Sequence, residues 1–170
     1  MSRSSRMVRR LSASVLSAAV VGGAAIAGTG VAQAAPTWTP IESREVKVPE
    51  SSAGVPVYMT FERGDEARIR CTGKVWGGVW LTGENGPDGW ADAAPWTFPM
   101  SGWYGGRSFA AIARFKDTTS TYTTAWRHAG TSSYHAVPFQ SRMELRVNDD
   151  RPGNGDHAFT CTVEKWRLVA

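Results

Sequence analysis

Hydrophobic and polar residues alternate along several short stretches of the chain. In 67–71 the small and hydrophobic residues are separated by Arg68 and Arg70, and in 143–147 they are separated by Glu144 and Arg146. A period of two residues places successive side chains on opposite faces, which is typical of a β-strand with one buried face. The predicted strands are 44–48, 55–60, 67–71, 108–115, 118–126, 134–139, 143–147 and 158–169.

The predicted strands are joined by short turns rich in glycine, proline, asparagine and aspartate. No window after residue 34 shows the 3.6-residue repeat of an amphipathic helix. This pattern favours an all-β fold, an antiparallel β-sandwich or jelly roll. We expect a single domain over 44–170, preceded by a flexible, proline-containing lead-in over 35–43.

One long segment, 76–103, does not follow the regular spacing of strands and turns. It holds five of the eight tryptophans, set among glycines and prolines: Trp76, Trp80, Trp90, Trp96 and Trp103. Loops of this length in compact domains are usually functional or disordered, and such an aromatic composition argues against disorder. Tryptophan rings stack on the apolar faces of sugars and also make protein contacts. The segment is interpreted either as a binding surface or as a small core that closes one end of the sandwich.

The first 34 residues have the pattern of a secretory signal. A basic start containing Arg9 and Arg10 precedes a small, apolar run, and Ala32-Gln33-Ala34 fits the small-x-small rule for cleavage. The prediction is therefore a signal peptide over 1–34, cleavage after Ala34 and a secreted protein. No second apolar run of membrane length follows.

Removal of this segment changes the charge of the protein. The formal charge of +4 comes from 19 basic and 15 acidic residues, and four of the basic residues lie within 1–34. The mature chain then has equal numbers of each sign. The usual argument for a nucleic-acid partner, a strongly basic surface, therefore loses its support.

The chain has two cysteines, Cys71 and Cys161, and both lie in predicted strands. Disulfides persist outside the cell, so an exported chain with two cysteines favours a Cys71–Cys161 bond. The alternative is a pair of buried free thiols.

A loop rich in oxygen-bearing side chains lies between the last two predicted strands. Within 148–157, Asp149, Asn154 and Asp156 offer carboxylate and amide oxygens, the ligands that calcium prefers. The spacing is not that of an EF-hand, because the twelfth position lacks the required glutamate. From the residues alone an ordinary solvated turn is the favoured interpretation, and a metal site formed by Asp149, Asp150, Asn154 and Asp156 is the alternative.

No arrangement of residues indicates catalysis. His128, His135 and His157 are widely spaced, and no zinc-site spacing or acid–base pair can be recognised. The chain is predicted not to be an enzyme.

Five segments together resemble the PA-IL family of bacterial galactose-binding lectins in order and approximate spacing. They are Val79-Trp80-Leu81-Thr82-Gly83, Asn85-Gly86-Pro87-Asp88-Gly89-Trp90, Phe109-Ala110-Ala111-Ile112-Ala113-Arg114, Leu145-Arg146-Val147-Asn148-Asp149 and Asn154-Gly155-Asp156-His157-Ala158-Phe159. The resemblance covers about 46–163. It implies a galactose-binding-like β-sandwich in which calcium lies in the last loop and sugar hydroxyls complete its coordination.

Carried over by position, the resemblance assigns Asp149 and Asn154 to the calcium and to the floor of a sugar site. The second of the family's two adjacent asparagines falls on Gly155, and Asp156 is the nearest replacement. The family's histidine and glutamine have no counterpart in 88–106, which leaves a galactoside as the default ligand class rather than a specific one. Trp90 and Trp96 are predicted to form a wall of the site.

The resemblance thus implies a secreted, calcium-assisted carbohydrate-binding protein. Weak binding at a single shallow site would gain avidity in a homo-oligomer. The alternative function is a secreted, calcium-independent protein-interaction or inhibitor module that uses the tryptophan-rich segment. Sensitivity to chelation distinguishes the two functions.

Overall fold

The computed structural model of the protein describes residues 35–92 and 106–170. In these two ranges the chain forms nine β-strands. They are β1 (Thr37–Pro49), β2 (Val55–Phe61), β3 (Glu66–Trp76), β4 (Glu84–Asn85), β5 (Ala111–Asp117), β6 (Arg127–His128), β7 (Ser132–Ala136), β8 (Ser141–Val147) and β9 (Asp156–Val169). The same ranges contain no helix that is long and apolar enough to cross a membrane. The predicted signal peptide, Trp96 and Trp103 lie outside the described residues.

The strands form two antiparallel sheets. One sheet has the order β1-β9-β3-β4, with β7 also paired to β3, and the other has the order β2-β8-β5-β6. The prediction of an all-β antiparallel sandwich is therefore confirmed. Strand β9 is central to the first sheet, because it pairs along its length with both β1 and β3.

The core lies between the two sheets and is built from the alternating positions of the strands. Along β3, Ala67, Ile69 and Cys71 are buried, while the intervening arginines face outward. Phe61 of β2 and Phe115 of β5 meet edge to face, with ring centroids 5.9 Å apart. Burial of each large apolar side chain of this kind contributes roughly 1.5–3 kcal/mol.

A disulfide joins the two strands at the centre of the first sheet. Cys71 of β3 and Cys161 of β9 are directly paired in the register, and their sulfurs are bonded. The bond is buried in the core and closes a sequence separation of 90 residues. The predicted pairing is thereby confirmed, and the free-thiol alternative is excluded.

The predicted lead-in needs correction, because strand β1 begins at Thr37 and includes most of 35–43. The C-terminal half of β9 continues to Val169 and offers these residues a pairing partner, so Thr37 lies opposite Val169. Strand β1 is the edge of its sheet, where Pro40 can be accommodated without loss of a hydrogen bond to a second neighbour.

The strand predicted over 118–126 is wrong, since this segment is mainly bends and irregular backbone, with a single bridge between Lys116 and Thr123. Its hydroxyls bond locally instead: the Thr119 hydroxyl and N–H both donate to Asp117, and the Tyr122 N–H donates to the Ser120 hydroxyl. Such side-chain bonds compete with a sheet ladder and override the β-propensity of threonine.

Candidate functional site

Three chain segments meet at one end of the sandwich. The register pairs Pro49 of β1 with Ala158, and Trp76 of β3 with Asp156, so the end of β1, the end of β3 and the start of β9 lie side by side. The loop 148–155 enters the same end from β8. The sheet therefore positions residues that are about 100 positions apart in sequence next to one another.

Asn148 fixes the base of this loop. Its side chain is fully buried and donates to the Arg107 carbonyl at 2.8 Å. Its backbone N–H donates to the Ala110 carbonyl, and its own carbonyl accepts from Phe109, both at 2.8 Å. Phe109 has a φ of 63°, and its ring packs so closely on Gly77 that a side chain at position 77 would collide with it. Asn148 thus ties the loop to the 107–110 turn, which explains why β5 begins at Ala111 rather than at 108.

Asp149 is the most unusual side chain at this end. It is only 1 % exposed, and its Oδ1 accepts a hydrogen bond from the Arg151 N–H at 2.9 Å. In the described ranges, no donor reaches its buried Oδ2. Burial raises the pKa of Asp149 to about 7; the Arg151 N–H works against this rise, and the neighbouring Glu50 carboxylate adds to it. Oδ2 of Asp149 is therefore a buried carboxylate oxygen without the hydrogen-bond donor that such an atom normally has.

Glu50 is the second buried carboxylate and directly follows β1. It is 1 % exposed, and its oxygens accept hydrogen bonds from the N–H groups of Gly153 at 3.0 and 3.1 Å and of Gly155 at 3.2 Å. Glu50 was not predicted from the sequence, because its only signal there is a carboxylate at the end of an edge strand. The register of β1 with β9 is what brings it to the loop.

The loop also lies tightly against the 76–78 segment. A side chain at position 155 would collide with the Trp76 carbonyl, and a Cβ at Gly78 would lie 2.5 Å from the Asn154 carbonyl oxygen. Gly155 therefore stands where the resemblance expects an asparagine because the Trp76 backbone occupies that space. Asn154 itself lies beside Gly78 and is exposed.

Asp156, a predicted metal ligand, lies at the start of β9. Its side chain is 74 % exposed, and Oδ1 accepts from the backbone N–H of His157 at 2.6 Å. The carboxylate that neighbours Asp149 is that of Glu50. Among the residues that the structure describes, no three histidine, cysteine or acidic side chains group as a metal site. Metal binding by Asp149, Asn154 and Asp156 stays a prediction.

The tryptophans of the long segment have different environments. Trp90 is partly buried against the core, and its backbone N–H donates to the Ser108 carbonyl at 2.9 Å. This contact fits the small-core interpretation of the segment, and the role of Trp90 in a sugar-binding wall stays a prediction. Trp76 donates its indole N–H to the Val79 carbonyl, which closes a turn and leaves Trp80 81 % exposed.

Comparisons with known proteins agree with the architecture. No family model matches the chain, and no curated protein matches it. Among solved structures, the chain is similar to the N-terminal domain of EclA, a PllA-like lectin, with a TM-score of 0.51 and 18 % identity. The match covers 74 % of this chain and 97 % of that one. At this level of identity the likeness concerns the fold, so the chain shares a lectin-type β-sandwich with a PllA-like lectin domain.

Proposed function

We propose that the protein is a secreted carbohydrate-binding protein, related to the PA-IL lectins, that binds a galactoside with the help of calcium at the 148–157 loop. One observation carries the proposal: in a lectin-type sandwich, the buried Asp149 carboxylate presents an oxygen with no donor, next to the buried Glu50 carboxylate. The basic, apolar N-terminal pattern and the disulfide support export.

The residues at this end fit a hard cation. Two neighbouring buried carboxylates are costly when both are ionised, and a divalent cation removes that cost. Asp149 and Glu50 would hold the ion, together with the Asn154 side-chain amide, since calcium accepts carboxylate, amide and backbone oxygens. When bound, calcium exchanges hydration waters for a pair of sugar hydroxyls. Asp149 has lone pairs left to accept a hydrogen bond from one of those hydroxyls.

The proposed aromatic wall differs from the one predicted from the sequence. Trp80 lies two residues beyond Gly78, which touches Asn154, and its ring is largely exposed. Trp90, by contrast, is partly buried against the core. We therefore assign to Trp80 the stacking contact with the apolar face of the sugar.

Titration calorimetry against a panel of neutral mono- and disaccharides, in calcium and in chelator, tests this function. We expect galactoside binding in calcium, loss of it in chelator and in Asp149→Asn, and weakening in Trp80→Ala. Tyr134→Ala is the matched control, because Tyr134 is an exposed aromatic residue on β7 away from the loop. Absence of heat for every sugar with folded protein in saturating calcium would overturn the proposal.

One observation favours the second candidate, a calcium-independent protein-interaction module. Trp80 and Leu81 are adjacent and both strongly exposed, which is typical of residues that anchor protein contacts. In that case Trp80→Ala would abolish binding to a protein partner, and chelator would leave the binding unchanged.

A further inference from the structure

A polar groove lies beside Glu50 on the outer surface of the first sheet, with a volume of about 680 Å³. Strands β1, β9 and β3 form its floor, where Ala158 lies between Pro49 on one side and Lys74 on the other. Lys47 lies opposite Thr160 on the same outward face. The groove is open at this point because the side chain of Ala158 is small. Each of the two flanking strands carries one lysine, Lys47 on β1 and Lys74 on β3.

The two lysines of the groove differ in their partners, because Lys74 has an acidic neighbour and Lys47 has none among the described residues. Glu84 of β4 is shared: its Oε1 lies 3.1 Å from His157 Nε2, and its Oε2 lies 3.7 Å from Lys74 Nζ. Lys47, in contrast, has neither an ion pair nor a side-chain hydrogen bond within 35–92 or 106–170. Its exposed ammonium is therefore free to bind a ligand anion, with Lys74 on the opposite wall.

The remaining groups suit a polyhydroxylated ligand. Glu84 and Asp156 supply acceptors, Ser51 supplies a hydroxyl, and Pro49 and Ala158 supply an apolar floor. Such a mixture matches a sugar ring, which has hydroxyls on its edge and C–H groups on its faces. A polyanion such as a nucleic acid is disfavoured, because the two acidic groups on the rim would repel its successive phosphates.

We infer that this groove is a subsite for an acidic saccharide, whose single carboxylate or sulfate is bound by Lys47 and Lys74. The groove adjoins the 148–157 loop through Glu50, which lines it and also accepts the Gly153 and Gly155 N–H groups. The inference rests on the proposed function only in taking the ligand to be a saccharide. It does not depend on calcium, because no cation is needed in the groove.

The test is calorimetry of the mature protein with galacturonic acid and with its methyl ester, which has the same ring without the charge. We expect the acid to bind about tenfold more tightly than the ester, because a charge-assisted bond replaces a neutral one. Added salt should weaken the acid more than the ester. A parallel pair, galactose 6-sulfate and galactose, distinguishes a sulfate preference from a carboxylate preference.

Lys47→Ala should lower affinity for the acid about tenfold and leave the ester unchanged. Arg63→Ala is the matched control, since it removes an exposed positive charge in the β2–β3 turn at the other end of the sandwich. The inference would be overturned if the acid and its ester bind equally and galactose 6-sulfate and galactose also bind equally. An unaltered affinity for the acid in Lys47→Ala would overturn it too.

Neutral galactoside binding in calcium separates this inference from the proposed function. Lysine-dependent binding of the acid in chelator, with no neutral galactoside bound in calcium, would support the groove and refute the calcium site. The converse result, neutral binding that depends on Asp149 and no preference for the acid, would refute the groove alone.

Discussion

At the scale of single residues, the carboxyl group of Asp149 dominates the expected behaviour of the protein. Its pKa is about 7, compared with an ordinary 3.8, because the side chain is buried beside Glu50. Between these two values the folded state holds a proton that the unfolded state has released. Folding stability contributed by this group therefore falls as pH rises.

In chelator, we expect the free energy of unfolding to be higher at about pH 5 than at about pH 8. Burial lowers the pKa of His135, so this residue makes the folded protein less stable as the pH falls below about 6.5, opposite to the effect of Asp149. The Asp149→Asn variant keeps His135, so the difference between the two proteins isolates the effect of Asp149. Asp65 and Asp88 have lowered pKa values, so their contributions are lost only below about pH 4. Urea denaturation of both proteins at the two pH values measures the difference, and identical pH profiles would contradict the role of Asp149.

The same substitution should have opposite effects with and without calcium. In chelator near pH 8, Asp149→Asn should stabilise the fold by on the order of 1 kcal/mol, because it removes an uncompensated buried charge. The unsubstituted protein should gain about 2.7 kcal/mol at a calcium concentration 100 times Kd, and the variant should not. Thermal melts with and without calcium test this, with the exposed Glu45→Gln as control. Equal calcium gains in the two proteins would exclude Asp149 as a ligand.

Gly155 gives a third prediction at this scale. Restoring the asparagine that the resemblance expects should destabilise the protein by roughly 1–3 kcal/mol, because the new Cβ would collide with the Trp76 carbonyl. Gly86→Ala is the control, since a Cβ there meets no atom within 4 Å. A Gly155→Asn variant as stable as the control in urea titrations would show that the loop moves freely away from the 76–78 segment.

At the scale of elements, alternation of side chains predicted most strands because each has one face on the core. It failed over 118–126, where the Asp117 carboxylate and the Ser120 and Thr124 hydroxyls accept hydrogen bonds from the local backbone. It also placed the start of β1 too late, because the pairing of Thr37 with Val169 is a long-range contact with no local signal. Asp149 could be proposed from the sequence because it lies in a loop rich in acidic and amide side chains. Glu50 could not, because only the long-range pairing of β1 with β9 brings it to that loop.

The disulfide belongs to this scale, since it joins β3 and β9, which are paired from Glu66–Trp166 to Trp76–Asp156. Removing it as the double variant Cys71→Ala/Cys161→Ala should lower the free energy of unfolding by about 2–5 kcal/mol. The cost arises mainly because the unfolded chain is no longer constrained over a long loop. Denaturation of the variant and of the oxidised protein measures it, and a loss well below 1 kcal/mol would contradict this account.

At the scale of the whole molecule, both proposed binding regions lie at one end of the sandwich. The 148–157 loop and the groove between Lys47 and Lys74 lie at the start of β9, and Trp80 follows closely after Gly78, which lies against Asn154. A branched or acidic oligosaccharide is large enough to touch both regions at once. Binding of such a ligand should therefore be more than additive relative to its neutral and acidic parts, by the effective-concentration effect of linked sites.

The pairing of Thr37 with Val169 determines how the protein can be attached to other objects. Strand β1 runs from this pair to Glu50 over roughly 40 Å, at about 3.3 Å per residue. A linker, a bead or an electrode joined beyond Val169 is thus held on the side remote from the 148–157 loop. An immobilised layer prepared in this way would present every copy with the proposed binding end toward the solution, which is the orientation that a glycan sensor requires.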